Sequence, residues 1–173
     1  MTDTYLFYFD SILIKGPVFR IVHHRILKRL LKTVNEIELQ KLINETKDKE
    51  YPALELCKKM MCEELYYEQL REYLVDHDRN NELKALFDKV HACGKKAGIV
   101  TGYPEKIIKV FLNHNLIEPD HIFSGDIYRL HFWLKIPKEF LFICDNEQLV
   151  SVAKKSGDAL LVKKGSNLSE FAF

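Results

Sequence analysis

Residues 5–14 read YLFYFDSILI, and their interpretation decides the fold. Tyr5, Leu6, Phe7, Tyr8 and Phe9 form an unbroken aromatic and apolar run, which Asp10 and Ser11 interrupt before Ile12, Leu13 and Ile14. A strand with one face in water alternates apolar with polar residues, whereas a strand covered on both faces can be apolar throughout. The run therefore predicts a central strand of a layered domain, with Asp10 at its end. Gly16-Pro17 then punctuates the chain and can open a helix.

Beyond Pro17 the apolar spacing becomes helical. Val18, Ile21, Val22, Ile26, Leu27, Leu30 and Leu31 recur between Val18 and Thr33, with Arg20, Arg25, Lys28, Arg29 and Lys32 on the other faces. Asn35 reads as the N-cap of a second helix, with Glu38 three residues on completing a capping box. Lys47, Asp48 and Lys49 make a polar connection, and Pro52 opens a further helical region that breaks between Cys62 and Tyr66. The polar segment His77 to Asn81 joins this block to a helix striped by Leu83, Leu86, Phe87 and Val90, which ends before Gly94. The stretch between the first strand and this helix has room for roughly four short helices, more than a plain crossover needs.

After Gly98 the pattern alternates. Ile99 to Thr101 reads as a short buried strand, Pro104 as the start of a helix running to Asn115, and His121 to Phe123 as a strand before Ser124-Gly125-Asp126. Phe140 to Cys144 is a strand stopped by Asp145-Asn146, a helix ends near Gly157, and Ala159 to Val162 make the last strand. This alternation predicts an α/β fold: a three-layer, Rossmann-like, mostly parallel sheet with a helical cap insertion. The boundaries expected are 1–16 and 80–173 for the core and 17–79 for the cap.

The chain has 173 residues, 47% of them hydrophobic, enough for one substantial core with an appendage but short for two independent domains. Lys and Arg total 26 against 25 Asp and Glu, a net charge of +1, so no nucleic-acid partner is expected from charge. The start, MTDTYLFYF, lacks the basic opening of a secretory signal, and no stretch approaches the ~20 apolar residues of a membrane span. A cytoplasmic or otherwise soluble protein is expected, and export by a signal-independent route would leave the same sequence. Cys57, Cys62, Cys93 and Cys144 sit in apolar periodic stretches without a CxxC pair and are expected as reduced core thiols.

Open α/β sheets bind ligands outside the carboxyl ends of their strands. The residues ending the expected strands are Asp10, Thr101, Ser124 to Asp126, and Asp145. Carboxylates, a hydroxyl and a lysine gathered there would suit magnesium and phosphate. In this ordered spacing the chain resembles the haloacid dehalogenase-like (HAD) hydrolase superfamily, usually met as aspartate-dependent phosphatases with a helical cap after the first strand. The first motif of that superfamily, an apolar strand ending Asp-x-Asp-Gly-Thr-Leu, lies on YLFYFDSILI; GIVTG resembles the second and FICDNEQL the fourth.

The resemblance implies Asp10, Thr101 and Lys135 as catalytic groups, and Asp10 with Asp145 as metal ligands. Lys138 is the other choice for the lysine. It also marks departures. Tyr8 falls where the nucleophilic aspartate belongs, Ser11 and Ile12 replace the glycine and threonine, Cys144 replaces a glycine, and Leu149 takes a later acidic position.

An active relative would form an acyl-phosphate on the first aspartate, while the second handles the leaving-group and water protons. A tyrosine cannot form that acyl-phosphate, and its neutral phenol removes an anionic oxygen ligand. The resemblance so modified implies a catalytically impaired protein with a binding or regulatory role, holding no cofactor or a weakly bound Mg2+. A register shifted by two residues would instead make Asp10 the nucleophile of a magnesium-dependent phosphomonoester hydrolase, with Ile12 in place of the acid/base.

Each of these side chains also has a plain structural reading. Tyr8 fills the crevice as a strand aromatic, Asp10 and Asp145 hold turns, and Thr101 supplies a structural hydroxyl. His23-His24 reads as surface or cap packing, and His131 with Trp133 as packing or a pocket lining. Tyr66 and Tyr67 serve either helix packing or a protein partner docking on the cap. A phosphorylated small molecule is the other partner class expected.

Overall fold

The run at residues 5–9 becomes the middle of the sheet. In the computed structural model, which describes residues 2–10, 18–49, 51–76 and 80–163, β1 (Thr4–Tyr8) lies between β2 (Lys96–Thr101) and β4 (Phe140–Cys144). Outside these lie β3 (His121–Ser124), next to β2, and β5 (Asp158–Leu161), next to β4. Every neighbouring pair is parallel. The turn-motif positions Ser11 to Pro17 and the linker residues His77 to Arg79 lie outside the described residues.

Alternation along β1 explains why its sequence is apolar throughout. Phe7 and Phe9 point to one face, where Phe7 meets Phe87 of α5 (Asn81–Ala92) at 5.4 Å between ring centroids and Phe9 meets Phe111 of α6 (Glu105–Asn115) at 5.1 Å. Leu6 and Tyr8 point to the other. They share a buried cluster with Val100, Phe142 and Cys144 of the neighbouring strands and with residues of α7 (Leu130–Trp133) and α8 (Glu147–Ala153). Trp133 anchors this layer: it is fully buried, lies 4.7 Å from Phe142, and its indole N–H donates to the Ile127 carbonyl at 2.7 Å. The three layers are therefore α5 and α6, the sheet, and α7 and α8.

The strand order β3-β2-β1-β4-β5 means the chain leaves β1 in one direction and returns to its other side through β4. The crevice of such a sheet opens where this reversal occurs, beyond the ends of β1 and β4. Because the strands are parallel and in register, with Tyr8 beside Val100 and Thr101 beside Ser124, their carboxyl ends share one edge.

Several boundaries differ from the sequence reading for physical reasons. Strand β2 starts at Lys96, so Gly98 lies inside it: a β-carbon there would sit 2.7 Å from Leu6 Cδ2 and 3.2 Å from the His121 carbonyl oxygen. Glycine permits the close approach of three strands. The segment 127–135 holds the single-turn α7, and α8 begins at Glu147 because Asn146 caps it, accepting from the Leu149 N–H at 3.2 Å.

By chain contacts the molecule divides into two compact units, Met1–Lys15 with Arg79–Phe173, and Gly16–Asp78. The second unit contains α1 (Val18–Leu30), α2 (Glu36–Thr46), α3 (Pro52–Lys59) and α4 (Glu63–Val75). Val18, Val22, Ile26 and Leu30 bury one stripe of α1, which packs on α4, while α2 packs on α3. Asn35 caps α2 as expected, its side chain accepting from the Ile37 and Glu38 N–H groups. Arg25 pairs with Asp76 at 2.9 Å and lies over the Tyr73 ring, tying α1 to the end of α4. The break between α3 and α4 falls at Met60 to Cys62, slightly earlier than the composition suggested. Tyr66 and Tyr67 are buried and meet edge to face, so packing, not an exposed docking surface, accounts for both.

Candidate functional site

The sheet edge brings Tyr8, Asp10 and Thr101 together. Tyr8 and Asp10 are two residues apart and so emerge on the same side of the chain. The Tyr8 hydroxyl donates to Asp10 Oδ2 at 3.2 Å. From β2, the Thr101 hydroxyl donates to Asp10 Oδ1 at 2.8 Å. Each oxygen of the Asp10 carboxylate thus accepts from a neutral hydroxyl of this same chain.

Thr101 is fully buried, and its oxygen also accepts from the Tyr103 N–H at 3.0 Å, closing the turn after β2. The Ser124 hydroxyl donates to the Tyr103 carbonyl at 2.6 Å, so the end of β3 is tied to the same turn. The ends of β1, β2 and β3 are laced together through Asp10, Thr101, Tyr103 and Ser124. Tyr103 takes part here through its backbone groups, which any residue type supplies.

Tyr8 is held neutral. Burial raises its phenol well above the ordinary tyrosine value, and the Asp10 charge, the Tyr128 phenol, the hydrogen bond to Asp10 and Cys144 push the same way. Its ring is 7% exposed and meets Phe142 edge-on with 6.4 Å between centroids. Tyr128 is a second phenol at this edge that sequence reasoning missed; its only signal is its place just after the Ser124-Gly125-Asp126 turn.

At the end of β4, Cys144 is buried and its thiol is pushed up to about 12, chiefly by desolvation; the Asn146 N–H works against this, and the Asp145 charge adds to it. Asp145 follows directly at the β4–α8 junction, half-buried. Leu149, where the resemblance would put an acid, is fully buried in the cluster that also holds the Tyr8 ring. Lys135 is exposed and lines a cleft of about 290 Å³ beside the end of β3, with Glu105, Ser124, Asp126 and His131 among its neighbours. His131 shares that cleft, whereas Trp133 belongs to the core.

The described strand-end residues offer a magnesium ion few free anionic oxygens. A hard divalent cation takes several oxygen ligands, carboxylates foremost. Here a neutral phenol stands two residues before Asp10 and donates a hydrogen bond to its carboxylate. Among the described residues no group of three or more His, Cys, Asp or Glu side chains is arranged to hold a metal ion.

No protein-family profile and no curated protein sequence matches this chain. Solved structures do match it in shape. A candidate β-phosphoglucomutase from Thermotoga maritima superposes with a TM-score of 0.60 at 15% identity, over 97% of this chain and 90% of that one. CbbY from Rhodobacter sphaeroides, solved in complex with phosphate, gives 0.57 at 12% identity, over 98% and 92%. YfnB from Bacillus subtilis, a candidate HAD-hydrolase bound to magnesium, gives 0.54 at 13% identity, over 92% and 88%. At such identities the likeness is one of architecture, and it extends over nearly the whole chain. With its five-stranded parallel sheet, strand order and helical insertion after β1, this protein has the haloacid dehalogenase-like fold.

Proposed function

We propose that this protein is a haloacid dehalogenase-like protein that lacks the superfamily's hydrolase activity and acts by binding or regulation. The observation that carries the reading is the hydrogen bond from the buried Tyr8 phenol to Asp10. Attack on phosphorus needs an ionised, accessible nucleophile at the end of β1. Even at the reference pKa of ~10, about one phenol in a thousand is ionised at pH 7, and burial reduces that share. The Cys144 thiol is disfavoured as an anion in the same way. Asp10, the remaining acid at that strand end, is engaged by two hydroxyls and serves here to hold the edge of the sheet together.

Magnesium, which YfnB holds, is at most weakly bound in this reading, with Asp10 and Asp145 as its candidate ligands. Thr101 and Lys135 remain the residues to test for phosphate contact. A phosphorylated small molecule is one class of ligand, and a protein partner for the helical unit is the other. No helix of the described residues is long and apolar enough to cross a membrane.

The test is turnover of a panel of small phosphomonoesters with and without magnesium, for the wild-type chain and Asp10→Asn. The expected result is no magnesium-dependent turnover in either. Wild-type turnover that disappears in Asp10→Asn would overturn the proposal in favour of a hydrolase using Asp10.

A further inference from the structure

The α3–α4 junction places two cysteines against each other. The Met61 N–H donates to the Lys58 carbonyl at 3.0 Å and the Cys62 N–H to the Cys57 carbonyl at 2.9 Å, while Met61 itself adopts φ 55. Two such bonds around a left-handed residue make the Schellman helix ending, in which the side chain two residues before the last helical position contacts the side chain just after the left-handed one. At those two positions stand Cys57 and Cys62. Both are free thiols, Cys57 buried and Cys62 half-buried, and their side chains are within hydrogen-bonding reach. An i,i+5 pair of this kind is invisible to a search for CxxC, because the helix ending, not the sequence spacing, brings the sulfurs together.

We propose that Cys57 and Cys62 are a reversible thiol–disulfide site, oxidised by a small disulfide such as glutathione disulfide. This assignment is independent of the functional reading above, since both residues belong to the helical unit. Cys62, the more accessible sulfur, reacts first. Its thiolate attacks one sulfur of glutathione disulfide, giving a Cys62–glutathione mixed disulfide and one glutathione thiolate. Cys57 then gives up its proton to solvent, attacks the Cys62 sulfur and expels the second glutathione. Two protein thiols become one disulfide, and one glutathione disulfide becomes two glutathione thiols. Burial, followed by the nearby Cys62 sulfur, pushes the Cys57 thiol up to about 12, which suits a resolving group more than an initiating one. Cys93, exposed at the end of α5, is an internal standard for simple mixed-disulfide formation.

The full chain is equilibrated in mixtures of reduced glutathione and glutathione disulfide, quenched in acid, alkylated and digested with trypsin. Lys58 and Lys59 lie between the two cysteines, so trypsin separates their peptides unless a disulfide joins them. The expected major product is the joined Cys57–Cys62 peptide pair, released by reductant and free of glutathione, while Cys93 carries glutathione. Cys62→Ser should abolish the joined pair and leave Cys57 as a thiol. Cys57→Ser should leave Cys62 in a persistent mixed disulfide. A wild-type chain that accumulates glutathione on Cys62 with Cys57 still reduced would overturn the proposal. So would reaction of Cys93 while Cys57 and Cys62 both stay reduced.

Discussion

Tyr8 contributes a ring to the core and a proton donor to the sheet edge, and the two contributions are separable. Tyr8→Phe keeps the ring and removes the bond to Asp10, so a loss of about 1–2 kcal/mol is expected for a bond to a carboxylate at a partly buried position. Urea unfolding of the two proteins would show it, and coincident midpoints would mean that the hydroxyl adds nothing. Tyr8→Asp instead sets a second carboxylate beside Asp10. Magnesium binding above the wild-type level, measured by titration calorimetry, is the expected result. Equal binding would count against Tyr8 as the obstacle to a metal.

Among the elements, two helix endings place a side chain in left-handed backbone. Met61 and Leu116 both adopt left-handed backbone at the ends of α3 and α6, a role that Gly94 fills after α5. A side chain there costs on the order of 1 kcal/mol relative to glycine. Met61 is 95% exposed, so Met61→Gly removes the strain without losing packing and should stabilise the chain by about 1 kcal/mol. Leu116, 53% exposed, gives up some packing, and its glycine variant should gain less. Inside β2 the reverse holds. Gly98→Ala drives a methyl group against Leu6 and the His121 backbone, and a destabilisation of about 1–3 kcal/mol is expected from overpacking. Thermal unfolding of the three variants checks both directions.

Across the core unit, Asp120 latches the end of α5 to the start of β2. Its carboxylate accepts from the Ala97 N–H at 2.8 Å and meets His91 Nε2 at 2.9 Å. Burial pushes the Asp120 carboxyl up, but the Ala97 N–H and His91 outweigh it and hold it below the usual aspartate value. A depressed pKa means that the unfolded chain takes up this proton first as pH falls. The latch therefore contributes its full stability above the unfolded value of ~3.9 and loses it as pH falls through the lower folded value. Urea midpoints between about pH 5 and 3 should fall less steeply for Asp120→Asn than for the wild-type chain. Parallel slopes would show that the carboxylate is unlinked to folding.

The architecture was largely legible because hydrophobic periodicity is a local signal of what each element must bury. The unbroken run from Tyr5 to Phe9 means two covered faces, the Val18–Leu30 stripe means one, and Asn35 marks a helix start by its own chemistry. Gly98 was misread as a boundary because its reason lies in two other strands, Leu6 on one side and His121 on the other. That Asp10 and Thr101 lie at strand ends was legible from periodicity, whereas any catalytic or metal role for them comes from the resemblance. What they do to one another was not legible. That Tyr8 turns its hydroxyl to Asp10, that Thr101 donates a hydrogen bond to the same carboxylate, and that Cys57 and Cys62 flank one helix ending all depend on directions and distances between residues far apart or around a turn. Sequence determined which groups reach the sheet edge, through the periods that make strands and helices. Tertiary structure decided which of those groups are already occupied by one another, because hydrogen bonds are settled by distance and angle, and the chain's order carries neither.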